Sequence, residues 1–98
     1  MPNYSKDLDH IFHALADPTR RAVVERLARG PIAMSKLAEP FPMKLPSFLQ
    51  HLDVLEQSGL VESQKVGRVR TYKLAPHSLK VAETWMTKQR AMWETEKR

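Results

Sequence analysis

The 98 residues include no cysteine, which excludes disulfides and thiolate metal sites and gives no sign of an oxidising compartment. The 16 lysines and arginines outnumber the 11 aspartates and glutamates, for a formal net charge of +5; such a balance suits a small domain that meets a polyanion, or simply one with a basic surface. Apolar runs are too short to cross a membrane and Met1–Asp7 lacks a signal-peptide core, so the expectation is one cytoplasmic domain over residues 1–98.

Proline and glycine punctuate the chain. A first helix is expected from about Lys6 to Ala16, with Leu8, Ile11, Phe12 and Leu15 at helical spacing, Ser5 as its cap, and Asp7 and Asp9 at the positive end of its dipole. Asp17-Pro18 restarts the chain: the aspartate suits an N-cap and the proline the first helical position. The second helix then runs to about Arg29 and stops at Gly30-Pro31. A short helix follows from Met34 to Glu39, broken by Pro40-Phe41-Pro42. The next spans Lys44 to Ser58, with Leu45, Phe48, Leu49, Leu52 and Leu55 as an apolar face and Gly59 as its stop.

The period then changes. Leu60–Val66 and Val69–Leu74 read as two strands around a tight turn at Gly67-Arg68. A last helix, opened by Pro76, runs from about His77 to Glu96 and carries Leu79, Ala82, Trp85, Met86, Met92 and Trp93 on its apolar side.

This order predicts a mainly α fold with a small β-hairpin, arranged α-α-α-α-β-β-α: a winged helix-turn-helix. The Met34 and Lys44 helices would form the pair whose second member enters the major groove. Its exposed side would then carry Lys44, Ser47, Gln50 and His51, donors and acceptors without negative charge; Gln50 matches an adenine edge, Lys44 a guanine edge or a phosphate, and His51 either faces DNA or fills a polar niche beside the helix. From Gln64 to Leu74 there are four basic residues and no acidic one. Lys65, Arg68 and Arg70 are therefore candidate wing contacts, with Arg68 placed to enter the minor groove. The plain alternative is an edge hairpin kept soluble by its charges.

Three stretches resemble the ArsR-type winged-helix repressors: Phe12-His13-Ala14-Leu15-Ala16-Asp17-Pro18-Thr19-Arg20-Arg21, Leu37-Ala38-Glu39-Pro40-Phe41, and His51 through Val61 with Leu52, Leu55, Glu56, Gly59 and Leu60; the strand end Tyr72-Lys73-Leu74 matches as well. The resemblance covers about residues 8 to 95. It implies a homodimeric repressor of double-stranded DNA that pairs through its first and last helices, and the two-fold symmetry of such a dimer predicts a pseudo-palindromic operator. Leu8, Ile11, Phe12, Trp85, Met86, Met92 and Trp93 are the expected interface. The resemblance also places Leu49 where many relatives carry a small polar residue. Its shared stripe favours core, and contact with a thymine methyl is the alternative.

Both metal sites common in that family are missing from the sequence. Ile32–Lys36 has no thiol, and the last helix shows Glu83, Thr84, Lys88 and Arg90 in place of a histidine pair. His10 and His13 lie three apart, two ligands without a third. No metal or cofactor is expected, and no phosphate loop or nucleophile elbow suggests an enzyme. A protein-interaction module, or a sensor with an unfamiliar site, is the alternative function. The sequence names neither operator nor effector.

Overall fold

A computed structural model describes residues 6–96. The elements in order are α1 (Lys6–Leu15), α2 (Pro18–Leu27), β1 (Ile32–Ala33), α3 (Met34–Ala38), α4 (Leu45–Gln57), β2 (Val61–Val66), β3 (Val69–Leu74) and α5 (Pro76–Glu96). The expected helices and hairpin are present to within two residues at their ends. Ser5, expected to cap α1, lies outside the described residues.

Local chemistry accounts for the boundaries. Asp17 caps α2, its Oδ2 accepting the Arg20 backbone N–H at 3.0 Å, with proline in the first turn behind it. The chain leaves α4 through Gly59, whose φ of +79° is the left-handed conformation that glycine adopts without steric cost. In the hairpin, Gly67 has φ +63° and no described non-glycine residue has positive φ. Positive φ at the first turn residue alone fits a type II′ turn, whose twist matches that of the strands.

One element escaped the sequence. β1 pairs antiparallel with β3, Ile32 opposite Tyr72 and Ala33 opposite Thr71, making a three-stranded sheet in the order β1-β3-β2. Two residues are too few to show a strand's alternation; their extended form depends on the free edge of β3.

The core lies where α1, α2, α4 and the base of the hairpin meet, around Ile11, Val23, Leu27, Phe48, Leu52 and Leu55, each at most 2% exposed. Phe41, in the turn between α3 and α4, packs its ring against that of Phe48 with centroids 5.0 Å apart and so ties the turn to the core. Arginines of α2 satisfy carbonyls at the ends of neighbouring helices. Arg21 Nη1 donates to Leu15 O at 2.8 Å, and Arg26 Nη1 to Leu37 O at 2.6 Å.

Beyond Ala82, each residue of α5 from Glu83 to Glu96 is exposed. Trp85, Met86, Met92 and Trp93 are 45–61% exposed. Phe12 of α1 meets Trp85 edge to face at 5.8 Å, so the two helices present one apolar surface. Ile11 does not belong to that surface. At 1% exposure it sits in the protomer's own core, and Leu8 is half-buried against the same core. The expected interface is thus corrected at Ile11: one step along a helix turns a side chain by about 100°, enough to separate a core residue from the exposed Phe12 beside it.

Candidate nucleic-acid interface

Helix α4 is built with its N-terminal end open. Lys44 is the N-cap residue and makes no side-chain capping bond, so a lysine stands at the positive end of the helix dipole. Lys44, Ser47 and Gln50 are all exposed, as a base-reading face requires. Asp53 and Glu56 are exposed as well, one and two turns further along; Asp53 accepts a bond from Gln57 Nε2 at 3.0 Å.

Two leucines of this helix differ from expectation. Leu49, favoured as core, is 39% exposed, and Leu45 is 47% exposed. The buried stripe of α4 is centred on Phe48, Leu52 and Leu55. Leu45 and Leu49 sit on its margin, where no described element covers them. Leu49 instead lines an open cleft of about 470 Å³ with Pro46, Gln50, Asp53, Glu56 and Tyr72.

His51 takes the second of its two expected places. It is partly buried, and its Nδ1 lies 3.0 Å from Nη1 of Arg20 and 3.7 Å from Oδ2 of Asp17. His51 therefore fills a polar niche between α2 and α4 and is removed from the freely exposed set. Arg20, which sequence reasoning quoted in a motif without giving it a role, organises the niche: its Nε donates to Ala14 O at 2.8 Å and its Nη2 to His13 O at 3.1 Å. Burial pushes the Asp17 carboxyl up, but the Arg20 backbone N–H, together with His51 and Arg20 beside it, outweighs burial and holds it below its ordinary value.

The wing sorts its side chains by face. Opposed residues in an antiparallel pair share a face, and successive residues alternate. Ser63 pairs with Tyr72 and Lys65 with Arg70, so all four lie on one face. Tyr72 is 4% exposed and lines the α4 cleft, which makes this the face turned toward α4. Lys65 and Arg70 continue it outward from the core. Burial, with Glu56 and Asp53 nearby, raises the Tyr72 hydroxyl pKa above its usual value despite the opposing charge of Arg70. Arg70 is anchored: its Nη1 donates to Ser63 Oγ at 2.8 Å, and that hydroxyl donates to Glu56 Oε2 at 2.9 Å. On the other face Lys73 pairs with Glu62 at 3.5 Å. Arg68, at the turn, is exposed between Val66 and Val69, which are themselves exposed.

Residues 15–64, from the end of α1 into β2, match the family model described as a helix-turn-helix domain. The HTH-type transcriptional regulator Rv2034 of Mycobacterium tuberculosis is 46% identical over 76 residues, 78% of this chain and 71% of that protein. The crystal structure of an ArsR family transcriptional regulator superposes with a TM-score of 0.89 at 49% identity, over 96% of this chain and 97% of that one.

The chain belongs to the ArsR family of transcriptional regulators.

Within the ArsR family it is also similar to the transcriptional repressor SdpR of Bacillus subtilis, 30% identical over 79 residues, 81% of this chain and 88% of that protein. These relatives are named as regulators or repressors, not as enzymes. With no cysteine in its sequence, this ArsR-family chain falls among the members without thiolate sites. No helix among the described residues is long and apolar enough to cross a membrane.

Proposed function

We propose that two copies of this ArsR-family chain act as a cytoplasmic homodimeric repressor on a pseudo-palindromic operator. The α4 helices enter successive major grooves about 34 Å apart, and the wings hold the flanking backbone. Lys44, Ser47 and Gln50 contact bases or adjoining phosphates; Lys65 and Arg68 neutralise phosphates, with Arg68 nearest the minor groove. Arg70 acts from its Ser63 anchor. His51 supports α4 from behind.

The observation that carries this reading is the alignment of Lys65 and Arg70 on the wing face turned toward α4, whose own outer side presents Lys44, Ser47 and Gln50. Dimerisation is supported by Phe12, Trp85, Met86, Met92 and Trp93, a large apolar surface left uncovered by the protomer. Monomers rarely leave such groups exposed together, and tryptophan and methionine are enriched where proteins meet.

Sedimentation equilibrium combined with gel-shift titration tests the proposal. The expected result is a particle of twice the protomer mass that prefers the DNA upstream of its own gene over a random duplex at moderate salt. A stable monomer, or equal affinity for both duplexes, removes the reading.

A further inference from the structure

Two exposed leucines lie at the margin of the buried stripe of α4, and no described element covers them. Leu45 and Leu49 are four residues apart and so lie one above the other on the helix. They are 47% and 39% exposed. Gln50 adjoins them, and the cleft beside Leu49 stays open.

We infer that Leu49, with Leu45 one turn before it, is a specificity-determining residue that reads the C5-methyl groups of thymine in the major groove. This rests on the major-groove placement of α4 proposed above. The argument is one of chemistry. Base edges in the major groove present donors and acceptors, and the one apolar group among them is the thymine methyl. A leucine gains nothing from a phosphate oxygen. The Asp53 carboxylate, one turn beyond Leu49, further disfavours phosphates on this flank. Gln50, next in the chain, matches the adenine edge in a bidentate way. Leu49 and Gln50 therefore select the same A·T base pair, or two adjacent ones, from its two sides. The operator half-site should contain thymine within the stretch that α4 covers.

The test starts by selecting duplexes from a random pool with the full chain. Each thymine of the selected half-site is then replaced by deoxyuridine, which removes the methyl and nothing else. Affinities are measured by fluorescence anisotropy for the parent chain, Leu49→Ala and Leu49→Met. Deoxyuridine should weaken the parent about four-fold at the contacted position, the worth of one buried carbon group. It should leave Leu49→Ala unchanged, and Leu49→Met, which keeps an apolar tip, should retain part of the discrimination. A parent chain indifferent to deoxyuridine, an equal loss in Leu49→Ala, or a half-site without thymine overturns the inference while leaving DNA binding intact. If Leu49→Ala fails to fold, Leu49→Met decides, since a methionine with the parent's full sensitivity or none contradicts graded apolar contact. A pool that yields no enriched duplex instead brings down the DNA-binding reading itself.

Discussion

Nη1 of Arg20 lies 3.0 Å from Nδ1 of His51, joining α2 to the middle of α4 across 31 positions of sequence. The same guanidinium takes up the carbonyls of Ala14 and His13 at the end of α1. One side chain thus fixes three helices relative to one another. Replacing it with alanine leaves helix-end carbonyls without their donor and frees His51. Arg20→Ala should lower stability by about 2 kcal/mol, read as a lower urea midpoint at unchanged slope. Arg20→Lys should recover little, because an ammonium cannot serve three separated acceptors as a planar guanidinium does. A midpoint equal to the parent's contradicts the assignment.

Acid should expose the contribution of Asp17. Its folded pKa is lowered, so the charged carboxylate favours the fold. The stability it adds is complete above the ordinary carboxyl value of about 3.9 and is lost as pH falls through the lower folded value. Asn in its place still accepts the N-cap hydrogen bond but does not titrate. Melting temperature measured from pH 6 down to pH 3 should therefore fall more steeply for the parent than for Asp17→Asn. Parallel curves would mean that Asp17 is not coupled to folding.

The turn after α4 is intolerant of a side chain. Gly59 has φ +79°, and a Cβ there would stand 2.7 Å from Ser78 Oγ. That hydroxyl is buried and donates to Ser58 O at 3.1 Å, latching the start of α5 to the end of α4. Gly59→Ala should cost about 2 kcal/mol, combining left-handed strain with displacement of the latch. Combining it with Ser78→Ala should be less than additive, because removing the hydroxyl relieves the contact. Chemical denaturation of the two single variants and the double variant measures the difference.

Wing and helix should separate in their salt response. Lys65→Ala and Arg68→Ala should each weaken binding on every duplex and reduce the slope of log K against log salt by about 0.9. Gln50→Ala should leave the slope nearly unchanged and relax sequence preference instead. Anisotropy titrations on the selected duplex and a scrambled one, at several salt concentrations, distinguish the two behaviours. If all three variants behave alike, the division between phosphate grip and base reading is wrong.

The punctuation of this chain was written locally. Asp17-Pro18, Gly59 and Gly67 act through their own backbone and nearest neighbours, so their positions in the sequence were enough to set helix starts, stops and the hairpin. The exposed Gln50 was equally legible, because it falls opposite a strong apolar stripe, and Lys44 because it stands at the helix's end. Periodicity gives the direction of such a stripe but not its width. Whether Leu45, Leu49 and Ile11 are covered depends on how far the neighbouring elements extend, and that is settled only when the helices pack. His51 found its partner on α2, and β1 exists because β3 offers an edge. Contacts between distant positions leave no local pattern to read, and it was these that decided which residues of α4 remain free to meet DNA.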